Sequence, residues 1–180
     1  MVILFAYFVF LVILLAFAFA MLGTLFADAP FVPSNRRDLE RIFSALKLTP
    51  GAKIYDLGSG DGRVARVAAS YGLRAVGIEQ SRVLTWWARF RAFLRRRSKY
   101  PVSFVHGNFW AVNLGDAAVI FCYLLPDAMI KLKDKFEREL MPGTYVISRA
   151  FSIPGWKATE VLRFGKRKMP VYLYSFPLCL

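Results

Sequence analysis

The sequence is poor in the residues that build most metal and redox sites. It contains one histidine, His106, and two cysteines, Cys122 and Cys179, which are far apart and form no CxxC pair. That inventory argues against a zinc site or any other metal centre and fits a reduced compartment. Acidic residues are also scarce, 12 against 25 basic ones, for a net charge of +13. Such an excess points to an anionic partner, either lipid headgroups or nucleic acid. With an apolar segment in the same chain, lipid is the simpler of the two.

Charge is missing altogether from Val2 to Ala27, "VILFAYFVFLVILLAFAFAMLGTLFA". A helix of that length measures roughly 39 Å, enough to cross a hydrocarbon core of about 30 Å with some tilt. A cleaved signal peptide calls for a basic start and a shorter apolar core. A soluble helix that is apolar all round would need burial on every side. The expectation is a retained, single-pass anchor over residues 1–27. Arg36, Arg37, Arg41 and Lys47 follow it and nothing basic precedes it except the α-amino group, so the positive-inside tendency puts the C-terminal domain in the cytoplasm. Residues 28–50 read as a linker and a short helix, and 51–180 as a single domain.

Beyond a proline elbow at "DAPFVPS", Ser34 is the expected cap of a helix whose Leu39, Ile42, Phe43 and Leu46 share one face. "AKIYDLG" reads as a strand running into glycines, and "RVARVAASYG" as a helix ending at Gly72. "LRAVGIE" is a second strand. "SRVLTWWARFRAFLRRRS" is a helix expected to turn Val83, Trp86, Trp87, Phe90, Phe93 and Leu94 inward. "VSFVHG" and "DAAVIFCYL" are strands, Pro126 opens a helix with Met129, Leu132, Phe136 and Leu140 as its apolar stripe, and "GTYVISRAF" is a fifth strand. "ATEVLRFG" and "PVYLYSFP" lack an intervening helix and should pair antiparallel at one edge, joined by the basic turn "KRK". The alternation predicts an α/β fold, a Rossmann-like, seven-stranded, mostly parallel sheet with an antiparallel edge pair, preceded by one transmembrane helix.

The chemistry concentrates in "IYDLGSGDGRVA", where Gly58, Gly60 and Gly62 fall between Asp56 and Arg63. In open α/β sheets ligands bind at the carboxyl ends of strands, and the following helix presents free N–H groups there. A glycine loop lets such a ligand approach the backbone. Gly58 and Gly60 fit the start of a dinucleotide fingerprint, but Arg63 replaces its third glycine, and no Walker lysine follows. Glu79, at the end of the second strand, can accept from two ribose hydroxyls. A nicotinamide oxidoreductase and a non-catalytic membrane scaffold are the competing classes.

"DLGSGDG" with Glu79 resembles the first motif and ribose-binding acid of class I S-adenosylmethionine-dependent methyltransferases. The stretches "PFVPS", "DLGSGDGRV", "FCYLLP", "KFERELMPG" and "SRAFSIPGW" are similar to the membrane-anchored protein-lysine methyltransferases that include the ATP synthase c-subunit lysine methyltransferase. The resemblance implies S-adenosyl-L-methionine as cofactor, cradled by Asp56, Gly58, Ser59, Gly60, Asp61 and Gly62. It implies Glu79 on the ribose, Gln80 beside the adenine, and Asn108 with Phe109 where many relatives carry an adenine-contacting acid. Asn108 is equally readable as a turn residue. Tyr123 and Pro126, in "YLLP", stand where the methyl acceptor lies in relatives, with Trp110 and Phe151 as further lining. Lysine of a protein, in or at the membrane, is the implied acceptor. RNA or a lipid-like small molecule is the alternative, although "CYLLPD" lacks the Asn/Asp-Pro-Pro-aromatic motif of base-amino methyltransferases. Arg149 is readable as an ion-pair partner or a pocket group. The basic run from Arg89 to Lys99 is a solvated helix end or a membrane-facing patch.

Overall fold

The computed structural model describes residues 1–25, 34–46, 48–94, 99–164 and 169–177. The proline elbow before Ser34, Lys47, Arg95 to Arg97, the basic turn at 166–168 and Cys179 lie outside them. Met1–Phe31 and Val32–Leu180 form two compact units. The first holds α1 (Val2–Leu25), 24 residues with no charged side chain. Its described side chains, Met1 and those of 3–15, are exposed. Among the described residues no helix is long and apolar enough to cross a membrane.

The second unit contains β1 (Lys53–Leu57), β2 (Arg74–Glu79), β3 (Val102–His106), β4 (Val119–Cys122), β5 (Tyr145–Arg149), β6 (Glu160–Phe164) and β7 (Met169–Ser175). They form one seven-stranded sheet in the order β3-β2-β1-β4-β5-β7-β6. β1 to β5 are parallel neighbours, and β7 runs antiparallel between β5 and β6. The expected seven strands and antiparallel edge are both present. β1 and β4 are buried along nearly their whole length, as strands covered on both faces must be. The chain leaves β1 toward β2 and β3 on one side and returns to β4 and β5 on the other. The direction of winding therefore reverses between β1 and β4, and their carboxyl ends are the topological switch point of the sheet.

The helices are α2 (Arg36–Ala45), α3 (Arg63–Ser70), α4 (Arg82–Leu94) and α5 (Pro126–Glu139). α2 buries Leu39, Ile42 and Phe43 in the same core as Val64, Ala68 and Ile54, so it is part of the sheet domain's packing. Its cap is Asn35, whose side chain accepts from the Arg37 N–H, and not the expected Ser34. Ser34 is buried, and its carbonyl accepts from Arg63. α5 buries Met129, Leu132, Phe136 and Leu140 as its spacing predicts, with Pro126 in its first turn.

α4 reverses the sequence expectation. Its buried residues are Thr85 and Ala88, while Val83, Trp86, Trp87, Phe90, Phe93 and Leu94 are all 41% exposed or more. Small residues win the inner face because the helix lies close to the sheet. A Cβ on Gly62 would stand 3.0 Å from the Ala88 Cβ and 2.3 Å from the Phe104 ring, so there is no room there for a tryptophan.

A buried ion pair ties α2 to the sheet. Arg149 Nη2, at the end of β5, donates to Asp38 Oδ2 at 2.9 Å, with both side chains under 10% exposed. Arg149 Nε and Nη1 have no hydrogen-bond partner among the described residues. Removing the carboxylate strands a buried cation. Asp38→Ala should therefore lower stability by about 3–5 kcal/mol, and the double change Asp38→Leu with Arg149→Met should recover much of the loss. Urea unfolding of the three variants measures both.

Candidate functional site

The bend after β1 is built from backbone that only glycine adopts easily. Gly58, Gly60 and Gly62 have φ of 73°, 54° and 71°. Two of the three also face their own protein: a Cβ on Gly58 would meet Leu124 at 3.2 Å, and one on Gly62 would overlap Phe104. Left-handed dihedrals and tight internal packing thus account for these glycines, and bear out a sharp strand-to-helix turn at this point. Gly77 on β2 has a related role, since a Cβ there would fall 2.8 Å from Ser59 and 2.7 Å from Phe104.

Two carboxylates fix the bend. Glu79 Oε2 accepts from the Gly60 N–H and Oε1 from the Ser81 N–H, both at 2.8 Å. Each of its oxygens retains further acceptor capacity. Asp61 turns the other way. It is 5% exposed, with Arg91 at 2.8 Å, Arg63 at 3.3 Å and Arg66 at 3.8 Å from Oδ2, while Oδ1 takes the Arg63 N–H. Its carboxylate therefore anchors the loop to α3 and α4. Arg63 continues the link to the Ser34 carbonyl.

Asp56 and Ser59 are the polar groups left over at the bend. Asp56 is 3% exposed, and Asp56 Oδ2 and Ser59 Oγ have no hydrogen-bond partner among the described residues. Burial, with a smaller push from the Glu79 charge, raises the Asp56 carboxyl to about 8. An uncharged acid beneath a positive-φ bend is a site ready to meet a polar or cationic group.

Around this centre, Gln80 is exposed and its carbonyl lies 3.1 Å from His106 Nε2. Asn108 caps the 3₁₀ turn Phe109–Ala111 by accepting the Trp110 N–H at 3.0 Å. Its side-chain oxygen is thus engaged in the turn. Phe109 is buried, with its ring 4.8 Å from that of Trp110. On the β4 side, Tyr123 is half-buried, its hydroxyl 3.5 Å from Met169 Sδ and its ring 5.7 Å from the Arg149 guanidinium. Pro126 is exposed at the start of α5. Phe151 is 36% exposed, and its carbonyl accepts from Ser148 Oγ. The buried Cys122 thiol, pushed up to about 12, is strand packing.

Sequence reasoning missed three features here. The reach of Arg91 to Asp61 and the identity of Asp38 as the partner of Arg149, which was readable as an ion-pair residue, join segments far apart in the chain, and no local pattern marks them. Ala150, directly after β5, holds a φ of 73°, a strained value for a residue with a Cβ. Its N–H donates to the Pro170 carbonyl, which fixes it.

Comparison with known proteins places this geometry. The sequence model of the ANTKMT methyltransferase domain matches residues 56–160. A protein-lysine N-methyltransferase of Saccharolobus islandicus is 37% identical over 153 residues, covering 81% of this chain and 92% of that protein. The ATP synthase C-subunit lysine N-methyltransferase of Homo sapiens is 33% identical over 76% of this chain and 58% of its own length. The adenine nucleotide translocase lysine N-methyltransferase of Mus musculus is 34% identical, over 81% and 63%. The chain thus spans about three-fifths of these two mammalian relatives. Among solved structures, an RNA methyltransferase from Salinibacter ruber in complex with S-adenosyl-L-homocysteine superposes with a TM-score of 0.74 at 31% identity, covering 83% of this chain and 96% of that one.

The raised carboxyl at Asp56 has a consequence for stability. The folded chain holds a proton there that the unfolded chain releases above about pH 4. Stability from this group therefore falls as pH rises from about 4 to about 8, by up to about 6 kcal/mol. Asp56→Asn removes the titration. Without cofactor, the variant should unfold at a higher urea midpoint than the parent at pH 8.5, and the difference should shrink or vanish at pH 5.

Proposed function

The chain belongs to the ANTKMT methyltransferase family and is an S-adenosylmethionine-dependent methyltransferase, and from that premise we propose that it methylates lysine side chains of a protein substrate at a membrane. When bound, S-adenosyl-L-methionine supplies a methyl group already activated on a sulfonium, so the protein's work is alignment and exclusion of water. The observation that carries the site assignment is the unused polar capacity at the bend: Asp56 Oδ2, Ser59 Oγ and the outer lone pairs of Glu79. These residues fit the cofactor. Backbone from Gly58 through Gly62, with Asp56 and Ser59, would hold its methionine end. Asp61 would contribute main chain only, its carboxylate being taken by arginines. Glu79 has one spare acceptor position on each oxygen beyond its two backbone donors, a match for the two hydroxyls of a ribose. Gln80, Phe109 and the amide nitrogen of Asn108 would border the adenine.

The acceptor would enter beside Tyr123 and Pro126, with Trp110 and Phe151 as walls. A free lysine with a pKa near 10.4 is about 0.04% neutral at pH 7, and removing its proton costs roughly 4–5 kcal/mol. An aromatic, poorly hydrated entrance next to a sulfonium lowers that cost by disfavouring a second cation. The lysine specificity of the archaeal and mammalian relatives supports this acceptor.

The uncharged run from Val2 to Ala27 supports a single-pass anchor. The basic residues that follow favour a cytoplasmic domain. Such a tether would raise the local concentration of a membrane-embedded substrate. Resistance of the full chain to alkaline carbonate extraction is the expected outcome; release into the supernatant would remove the anchor from this reading.

The Salinibacter ruber likeness favours one second reading, an RNA acceptor. Incubating the full chain with radiolabelled cofactor and a membrane extract separates the two. Label on lysine after acid hydrolysis of protein supports the proposal, and label confined to RNA overturns it. For the cofactor site, Glu79→Ala should weaken S-adenosylhomocysteine binding by about 1.5–3 kcal/mol in calorimetry, roughly 10- to 150-fold. Unchanged affinity would reject the ribose role.

A further inference from the structure

The outward stripe on α4 serves neither the core nor the cofactor bend. Val83, Trp86, Trp87, Phe90 and Leu94 recur at three- and four-residue intervals on the face opposite Thr85 and Ala88. Trp86 and Phe90 stack with ring centroids 5.7 Å apart and planes 4° from parallel, and Trp87 lies 5.9 Å from the same Phe90 ring. These rings pack on one another, so the exposed patch is continuous. A patch of this kind on a domain surface marks an interaction site.

The charge around it is of one sign. Arg82 and Arg89 border the stripe on one side and Arg91 on the other. Arg89 is held by the Phe104 carbonyl at 2.8 Å and Arg91 by Asp61. The groove that α4 forms with α3 and β3 is lined by Arg36, Arg63, Arg66, Arg89, Arg91 and Lys99. Three of these arginines share the single carboxylate of Asp61, which leaves the cluster with surplus positive charge. In sequence, α4 leads directly into a further run of three arginines at 95–97.

We propose that the Trp86–Trp87–Phe90 face of α4 docks flat on an anionic bilayer surface, its rings in the headgroup layer and the positive charge along its borders facing the lipid phosphates. Large aromatic side chains on one helical face with arginines along its borders are the composition of a helix that lies in the interface plane. With a net charge of +13, the flat aromatic face and its basic borders are complementary to an anionic leaflet, which presents a continuous plane of negative headgroups above an apolar layer. Arg91 connects this face to the site, since its guanidinium lies 6.0 Å from the Trp87 ring centre while it pairs with Asp61 of the glycine bend.

The test uses the full chain reconstituted with vesicles, and the tryptophans as probes. The chain's four tryptophans are Trp86, Trp87, Trp110 and Trp156, so none lies in the apolar N-terminal run and the anchor contributes no signal. Vesicles containing roughly a third phosphatidylglycerol and a shallow brominated phosphatidylcholine should quench emission about twofold. Vesicles without the anionic lipid should quench less. Salt at about 1 M, which screens beyond about 3 Å, should reduce the anionic-lipid advantage. Trp86→Phe with Trp87→Phe keeps the face aromatic and should abolish the quenching. The proposal is overturned if vesicle-bound chain is not quenched, the result expected were the face covered by a second copy or by another segment of this chain. It is equally overturned if the double variant quenches like the parent, if single-stranded RNA perturbs these tryptophans where bilayers do not, or if the chain stays unbound. Quenching that persists in a chain extractable by carbonate would uphold the α4 surface and reject only the anchor.

Discussion

The arrangement depends on a main-chain bend with three left-handed residues, held from two sides by carboxylates. Glu79 takes the Gly60 N–H from one side, and Asp61 is gripped by arginines from α3 and α4 on the other. Both carboxylates act through backbone or through buried ion pairs, so the bend is preformed by the protein itself. Its cost is concentrated at Asp56, a buried acid that burial keeps largely protonated near neutrality. Asp56 Oδ2 and Ser59 Oγ are left there without a hydrogen-bond partner among the described residues.

The helices on either side are fastened to the bend by the same cations. Arg63 reaches the carbonyl of Ser34 before α2, Arg91 reaches in from α4, and Asp38 of α2 meets Arg149 at the end of β5. The high arginine content thus has a local use, with guanidinium forks bridging elements at their ends. These bridges also orient α4 so that small residues face the sheet and the aromatic ones face out. The same helix then braces the glycine bend through Arg91 and exposes its aromatic residues on the opposite face.

Much of this was legible in the amino-acid order. The seven strands, the antiparallel edge, the α5 stripe and the glycine bend with Glu79 at its side follow from local periodicity and from glycine spacing, which act over a few residues. The α4 reading failed because helical spacing identifies an apolar face but not its direction. Phe104 and Ala88 already occupy the space beside Gly62 and Gly77, and that crowding is set by neighbouring strands. At Asn108 the sequence offered both a turn residue and an adenine contact, and its side chain takes the turn role by accepting from Trp110.

The order of residues by itself determined the α/β alternation, the position of the glycine bend and the excess of positive charge, because each depends on short-range pattern or on composition. Tertiary structure decided which way α4 faces, which carboxylate takes backbone N–H groups and which is caged by arginines, and that Arg149 is committed to Asp38 across 111 residues. Those outcomes rest on which distant side chains compete for the same buried volume or the same charge, and that competition exists only once the sheet has brought them together.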